Sequence, residues 1–227
     1  MAEGMKPYYQ DESVTIYNAD CREVLPTLDK VDLVLTDPPY GIGYTSRKHG
    51  ENETRTGKST YEGESIVGDD EDFDPTFLLG AGTQLILWGA NNYASRLTDS
   101  KGWLVWDKKT LPEFYGKTSF SDCEMAWTNV LGRTLIFPHL WNGIVRQGEE
   151  AGRRGAGRLH PTQKPVRLMR WCITLADEPK TILDPFMGSG TTLRAAKDLG
   201  RKAIGIEIEE RYCEIAAKRM SQTVLAL

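Results

Sequence analysis

Thr181-Ile182-Leu183-Asp184-Pro185-Phe186-Met187-Gly188-Ser189-Gly190-Thr191-Thr192 has the pattern of a strand, a glycine turn and the start of a helix. The two glycines allow a tight turn and let a ligand approach the backbone where a Cβ would clash. The helix that follows directs unpaired N–H groups at that ligand. The next predicted strand, Lys202–Glu207, ends about 20 residues farther on in an acid that can bind both ribose hydroxyls. The segment therefore predicts an α/β sheet with a nucleoside-bearing cofactor at this turn.

Two details of the turn indicate which kind of cofactor it binds. A complete G-x-G-x-x-G motif is missing because residue 193 is leucine. Asp184-Pro185-Phe186 places a carboxylate and an aromatic ring at the turn, which suits a cationic, adenosine-bearing cofactor better than a pyrophosphate. The alternative for Glu207 is an ordinary surface acid at a strand end. We expect Glu207 to bind ribose.

Short apolar segments alternate with helical-period segments along the chain, which is the pattern of an α/β sheet. The predicted strands are Val14–Tyr17, Asp32–Thr36, Gln84–Trp88, Trp103–Trp106, Cys123–Thr128, Thr134–Phe137, Thr181–Asp184 and Lys202–Glu207. The predicted helices are Arg22–Leu28, a segment near Pro75–Leu79, Asn92–Leu97, Pro165–Ala176, Thr191–Leu199 and Glu209–Met220. Gly200 follows the Thr191 helix where a left-handed cap is expected.

The composition is that of one ordinary globular domain spanning residues 1–227, with a net charge of −4 that argues against an indiscriminate nucleic-acid binder. The N-terminus has no signal pattern and no apolar segment is long enough to span a bilayer, so we expect a cytoplasmic protein without membrane contact. Four scattered cysteines form no CxxC pair, which predicts reduced thiols and no metal site. Residues 41–68 fit no helix or strand and are predicted to form a flexible loop.

A second motif, Asp37-Pro38-Pro39-Tyr40, follows an apolar predicted strand. Ligands of open α/β sheets lie beyond the carboxyl ends of the strands, so this motif is expected to face the cofactor. Consecutive prolines make a rigid turn, in which the Asp37 carboxylate and the Pro38 carbonyl can each accept one N–H of an exocyclic amino group. Tyr40 can stack on a base that has left its duplex. The alternative is a rigid strand-to-loop turn with an exposed tyrosine.

Asp37-Pro38-Pro39-Tyr40 and the separate Phe186-x-Gly188-x-Gly190 resemble the motifs of the amino-methylating DNA methyltransferases, the N6-adenine and N4-cytosine group. Ile16–Cys21 resembles the segment of that family whose acid lies near the adenine of the cofactor. His160–Pro165 resembles the segment that leads into a helix beside the methionine moiety. The similarity covers about residues 14–220, in the β-type order that places the catalytic motif before the cofactor motif.

The resemblance implies a Rossmann-like α/β fold, the S-adenosylmethionine-dependent methyltransferase fold, with a mostly parallel seven-stranded sheet and an antiparallel hairpin at one edge. Since eight strands are predicted above, at least one of them is expected to be wrong or peripheral. The methyl donor is expected to be S-adenosylmethionine, and the acceptor a flipped-out base of double-stranded DNA, adenine at N6. The expected cofactor-binding residues are Asp20, Cys21, Lys164, Asp184, Pro185, Phe186, Gly188, Ser189, Gly190, Thr191 and Glu207.

Recognition of DNA falls to a short insertion at about residues 131–159, where the family usually has a larger region. Between residues 146 and 170, seven basic residues against two glutamates leave five positive charges, a patch that can neutralise phosphates. Its candidate DNA contacts are Arg146, Arg153, Arg154 and Arg158, and the alternative is a solvated basic loop. Methylation of cytosine N4, or binding of DNA and cofactor without activity, are the alternative functions. A homodimer and a matching restriction endonuclease are left open.

Overall fold

The computed structural model describes residues 5–41, 43, 67–117, 121–142, 145–146 and 163–222. The strands are β1 (Tyr9–Gln10), β2 (Val14–Asn18), β3 (Val31–Thr36), β4 (Gly82–Trp88), β5 (Gly102–Asp107), β6 (Cys123–Thr128), β7 (Leu135–Pro138), β8 (Trp141–Asn142), β9 (Val145–Arg146), β10 (Thr181–Asp184) and β11 (Lys202–Glu207). The α-helices are α1 (Cys21–Val24), α2 (Val166–Leu175), α3 (Thr191–Asp198) and α4 (Glu210–Met220). Short 3₁₀ helices span Leu25–Thr27, Pro75–Leu78, Ala90–Asn92, Ala94–Arg96 and Pro112–Phe114.

Within these described residues, nine strands form one sheet in the order β1-β2-β11-β10-β3-β4-β6-β5-β7. The five strands from β2 to β4 in this order are parallel. β6 runs antiparallel to both of its neighbours, β4 and β5. The carboxyl ends of the five parallel strands, the end of β5 and the beginning of β6 therefore meet at one edge of the sheet, which we call the carboxyl edge. This architecture confirms the predicted α/β methyltransferase fold.

The predicted number of seven strands is wrong, because each side of the seven-stranded sheet carries one further strand. β7 pairs parallel with β5 on one side, so the eighth predicted strand is real but peripheral. β1 pairs antiparallel with β2 on the other side. A strand of two residues has no measurable periodicity, which is why the sequence does not predict β1.

Three predicted helices are shorter or tighter than expected, and one of them, near Pro75–Leu79, is the 3₁₀ helix Pro75–Leu78. The segment Arg22–Leu28 begins as α1 and continues as a 3₁₀ turn that contains Pro26, because proline lacks the N–H that an α-helix needs. The segment Asn92–Leu97 is replaced by two 3₁₀ turns on either side of Tyr93. The Tyr93 hydroxyl donates to the carbonyl of Trp88 at 2.6 Å, and this bond holds the chain back against the end of β4.

Both faces of the sheet are buried, which explains the continuous apolar runs of its central strands. Leu33 and Leu35 of β3 pack on the face covered by α2, α3 and α4. Val34 packs on the opposite face, in the cluster that contains Phe73 and Leu78. Gly200 ends α3 with a φ of +66°, as its position after that helix predicts.

All four cysteines are free thiols in the structure. In the described part of the chain, every helix is too short or too polar to cross a membrane. Most of the predicted loop at 41–68 and the residues Arg153, Arg154 and Arg158 lie outside the described residues, as does the side chain of Arg146. The single-domain assignment of residues 1–227 stays a prediction.

Candidate active site

The two motifs singled out in the sequence meet at the carboxyl edge. Asp37–Tyr40 follows β3, the glycine turn at 185–190 follows β10, and β3 and β10 are neighbouring parallel strands. The last residue of β3 is bonded to the last residue of β10, since the Thr36 hydroxyl donates to Asp184 Oδ1 at 2.7 Å. A group held at the first motif therefore lies beside a cofactor held at the second.

The Asp37–Tyr40 turn is fixed by two residues that the sequence did not single out. One is Asp69, which is 2% exposed and whose Oδ1 accepts the backbone N–H of Tyr40 at 2.8 Å and of Gly41 at 2.9 Å. The other is Gly89, which follows β4 with a φ of +71°. A Cβ at residue 89 would lie 1.8 Å from Cε1 of Tyr40. The Tyr40 ring therefore occupies space that only a glycine leaves open.

The Asp37 carboxylate lies in a cluster of buried charges. Its Oδ1 accepts from the Tyr40 hydroxyl, and its Oδ2 accepts from Lys164 Nζ. Lys164 Nζ also lies 2.9 Å from Oε2 of Glu124 and 3.3 Å from the Tyr40 hydroxyl. Lys108 Nζ donates to the other oxygen of Glu124 at 3.0 Å. Two carboxylates and two ammonium groups are thus linked in a chain that ends at the catalytic motif.

The charges in this cluster shift one another's pKa values. Burial raises the pKa of Asp37, although the Lys164 ammonium opposes this shift. Burial alone would raise the pKa of Glu124 as well, but Lys164 and Lys108 outweigh it and lower the value to about 2. Burial would lower the pKa of Lys164, yet the two carboxylates raise it to about 12. Lys164 is therefore an ammonium group at neutral pH, with N–H donors beside Asp37.

The glycine turn lies against the acid predicted to bind ribose. Gly188 N–H donates to Oε2 of Glu207 at 3.0 Å, and Glu209 N–H donates to Oε1 at 2.9 Å. Gly188 and Gly190 have φ values of +48° and +76°, as expected for a turn that needs glycine. Burial raises the pKa of Glu207 to about 7, although the two backbone N–H groups oppose the shift.

Several predicted cofactor residues point into the protein and support the turn. Asp184 is 4% exposed, accepts from the N–H of Phe186 at 3.2 Å, and has its pKa raised by burial to about 6. Cys21, Ser189 and Thr191 are also buried. Asp20 caps α1 by accepting the N–H of Arg22 at 2.8 Å. Binding of the cofactor by these residues stays a prediction.

Phe186 packs edge-on against two rings from the segment before β4. Its centroid lies 5.6 Å from that of Phe73 and 6.5 Å from that of Phe77. The Arg22 guanidinium lies 5.8 Å from the Phe77 centroid. The aromatic ring predicted at the turn is thus held in place from the opposite side of β3.

Lys164, one of the predicted cofactor residues, lies beside the Asp37–Tyr40 turn. Its ammonium group contacts Asp37, Glu124 and Tyr40, and its binding of the cofactor stays a prediction. Glu124 was assigned only to a core strand, and Lys108 was not singled out. An acid within an otherwise apolar predicted strand is the signal that could have identified Glu124, because buried carboxylates in proteins are paired.

The fold and the paired motifs define an α/β methyltransferase catalytic domain. Residues 81–218 match the DNA methylase family of N6- and N4-methyltransferases. Since this match covers more than half of the chain, the protein belongs to that family and is a site-specific DNA amino-methyltransferase. The family match begins after Asp37–Tyr40, so the resemblance of this motif to the same family is a separate observation.

Similar proteins agree with this family. The type II methyltransferase M2.LlaDCHI of Lactococcus lactis subsp. cremoris is 27% identical over 96% of this chain and 93% of that protein. The crystal structure of the M1.HpyAVI–SAM complex has a TM-score of 0.56 and 22% identity, over 92% of this chain and all of that one. The PvuII DNA methyltransferase, which is cytosine-N4-specific, has a TM-score of 0.63 and 16% identity, over 98% and 92% of the two chains.

Proposed function

We propose that this enzyme transfers a methyl group from S-adenosylmethionine to N6 of a flipped-out adenine in double-stranded DNA. The observation that carries the proposal is the Asp37–Tyr40 turn, which lies beside the glycine turn through the bond between Thr36 and Asp184. Aspartate at the first position of the turn supports adenine, because serine is more usual there in the cytosine enzymes that this sequence resembles. Methylation of cytosine N4 is the alternative.

The residues of the Asp37–Tyr40 turn can make the amino nitrogen of the base more nucleophilic. The lone pair of an exocyclic amino group is delocalised into the ring, which makes the nitrogen a poor nucleophile. Accepting one N–H by Asp37 and one by the Pro38 carbonyl draws the nitrogen toward a tetrahedral shape and frees its lone pair. Tyr40 stacks on the base and offsets part of the cost of unstacking it.

The transfer itself requires little further help from the protein. S-adenosylmethionine supplies a methyl group on a positively charged sulfur, which is a good leaving group. The nitrogen forms a bond to the methyl carbon while the carbon–sulfur bond breaks and its electron pair stays on sulfur. The methylated nitrogen then loses a proton to water, with Asp37 as the first hydrogen-bond acceptor. Positioning of the two reactants therefore provides most of the acceleration.

The described residues around the glycine turn suit this cofactor. Asp20 follows β2 and Glu207 ends β11, and these two strands are neighbours in the sheet. The negative charge of the two acids suits the sulfonium and the amino groups of the cofactor. The Glu207 carboxylate lies where the turn and the end of β11 meet, so it can exchange its backbone partners for ribose hydroxyls. Phe186, in the same turn, adds an aromatic ring packed against Phe73 and Phe77.

The decisive experiment combines duplex DNA with methyl-labelled S-adenosylmethionine and identifies the labelled nucleoside after digestion. Label in N6-methyladenine is expected, while label in N4-methylcytosine would support the alternative and label only in RNA would overturn the assignment to DNA. Asp37→Ala should abolish transfer and keep cofactor affinity by calorimetry. Asp29→Ala is the matched control, since Asp29 is exposed and precedes β3 at the opposite edge of the sheet.

The basic patch is proposed to position the DNA backbone. The slope of log K against log salt is negative, and each phosphate contact that is lost reduces its magnitude by about 0.9. Replacing Arg153, Arg154 and Arg158 together by alanine should therefore reduce the magnitude of the slope by up to about 3. An unchanged slope would show that these arginines do not contact DNA.

A further inference from the structure

The buried ammonium group of Lys164 has no assigned task in the proposed reaction. Its side chain is 6% exposed, which is unusual for a lysine unless it is paired. It lies between the catalytic Asp37 on one side and Glu124 on the other, and the Tyr40 hydroxyl is also within reach at 3.3 Å. A protonated donor is thus held next to the oxygen atoms that are to accept the amino group of the base.

A carboxylate beside an ammonium group is complementary to only half of the bases. On the Watson–Crick edge, adenine presents an amino donor beside the N1 acceptor, and cytosine presents an amino donor beside the N3 acceptor. Guanine and thymine present the reverse, a carbonyl acceptor beside a ring N–H donor. Enzymes that flip a base select it by hydrogen bonds to this edge.

We propose that Lys164 donates a hydrogen bond to the ring nitrogen next to the target amino group, N1 of adenine or N3 of cytosine, while Asp37 accepts from the amino group. The pair then admits the two bases that carry an amino group at this position and rejects the two that carry a carbonyl. This inference rests on the proposed function and assigns base selection to a residue that the sequence placed with the cofactor.

Glu124 lowers the free-energy cost of moving Lys164 from Asp37 to the base. When Lys164 turns to the base it gives up part of its contact with Asp37, and an unpaired buried ammonium group is strongly unfavourable. Glu124, at 2.9 Å, remains as its counter-ion throughout. Lys108 lies 3.0 Å from the far oxygen of Glu124 and keeps that carboxylate charged. Glu124 and Lys108 are therefore positioning residues that act through Lys164.

We expect the hydrogen bond from Lys164 to the ring nitrogen to affect which base is bound more than the rate of methyl transfer. A hydrogen bond to the ring nitrogen draws the amino lone pair into the ring, which opposes attack on the methyl group. The bond must therefore weaken as the reaction proceeds, and Lys164 returns toward Asp37 as the amino group changes shape. Loss of the ring nitrogen should consequently raise KM and leave kcat equal or higher.

The test uses the wild-type enzyme and synthetic duplexes of its target site, which is first mapped by locating the modified bases in DNA from cells that express the protein. One duplex carries adenine at the target position, one carries 1-deazaadenine, which lacks N1, and one carries 7-deazaadenine, which keeps N1. We expect kcat/KM to fall at least tenfold for 1-deazaadenine, through KM, because a C–H group replaces the N1 acceptor and the charge-assisted hydrogen bond to the base is lost. The 7-deazaadenine duplex should behave like adenine. If the mapped base is cytosine, 3-deazacytosine takes the place of 1-deazaadenine.

Variants show whether Lys164 is the donor. Lys164→Met should methylate adenine and 1-deazaadenine with equal kcat/KM. Glu124→Gln keeps the shape of the side chain and should reduce the discrimination between adenine and 1-deazaadenine. Glu124→Asp keeps the charge and should show part of the wild-type discrimination. Equal use of adenine and 1-deazaadenine by the wild-type enzyme would overturn this inference alone. Failure to methylate any DNA would instead overturn the proposed function.

Discussion

Gly89 allows a direct test of how the Tyr40 ring is placed, through the substitution Gly89→Ala. The added Cβ would lie 1.8 Å from Cε1 and 2.3 Å from Cζ of Tyr40. Carbon atoms pack at about 3.5–4.0 Å, so the ring has to move by about 2 Å. That movement disrupts the bond between the Tyr40 hydroxyl and Asp37 as well as the stacking surface offered to the base.

The changes in stability and in kcat distinguish backbone strain at residue 89 from displacement of the Tyr40 ring. Alanine at a positive φ costs about 1–2 kcal/mol, offset by about 0.4–1 kcal/mol because the unfolded chain loses freedom. The net change in stability is thus small for a domain of this size, a few degrees in Tm. A displacement of about 1 Å in an active site can cost about 100-fold in rate, so kcat should fall at least that far.

Gly200→Ala is the matched control for this experiment. Gly200 has a φ of +66°, and a Cβ there would meet no atom within 4 Å. Both variants should show similar shifts of Tm by calorimetry, and only Gly89→Ala should lose methyl transfer while it keeps cofactor affinity. Full activity of Gly89→Ala would refute the claim that the Tyr40 ring must occupy this position. Equal loss in both variants would attribute the effect to stability.

Three further predictions concern the groups that hold the two motifs. Asp69→Ala removes the acceptor for two backbone N–H groups of the catalytic turn, so kcat should fall about 10- to 100-fold, whereas Asp70→Ala, an exposed neighbour, should not change it. Glu207 has a pKa raised to about 7 and has to be ionised to accept ribose hydroxyls, so cofactor affinity should fall about tenfold from pH 8 to pH 6. Glu207→Gln should bind weakly without this pH dependence, and a parallel pH profile in that variant would exclude Glu207 as the titrating group. Thr36→Val removes one of the donors to buried Asp184, the hydroxyl at 2.7 Å, and urea unfolding should show a loss of about 1–3 kcal/mol.

The sequence predicts the interior of the sheet well because periodicity and burial carry the same information there. Cys123–Thr128, Thr181–Asp184 and Lys202–Glu207 are strands with the predicted bounds. The wrong secondary-structure predictions lie where a tertiary contact overrides the local sequence pattern. Tyr93 interrupts a predicted helix because its hydroxyl is bonded to Trp88, which no local rule anticipates.

The candidate site is predictable to the extent that its residues occur in motifs. Asp37–Tyr40 and the glycine turn could be expected to meet, because both follow parallel strands of one sheet. Asp69 and Gly89 could not, since each acts through a residue distant in sequence, and Glu124 is marked only as an acid in an otherwise apolar strand. The position of Glu124 depends on the reversal of β6, which brings the beginning of that strand to the edge where the other strands end.

This reversal divides the carboxyl edge into two halves with different charges. On one side, Asp20 after β2 and Glu207 at the end of β11 have no lysine among their described bonding partners, which suits the cationic cofactor of the proposed function. On the other side, β3, β5 and β6 bring together Asp37, Lys108 and Glu124 with Lys164, a cluster whose charges cancel. In the proposed reaction the base is neutral, and a cluster without net charge would bind its edge without attracting the positive charge of the cofactor. The hydrogen bond between Thr36 and Asp184 joins the two halves. Substitutions on the β2, β11 and β10 side should therefore change cofactor affinity alone, and substitutions on the β3, β5 and β6 side should change base discrimination alone.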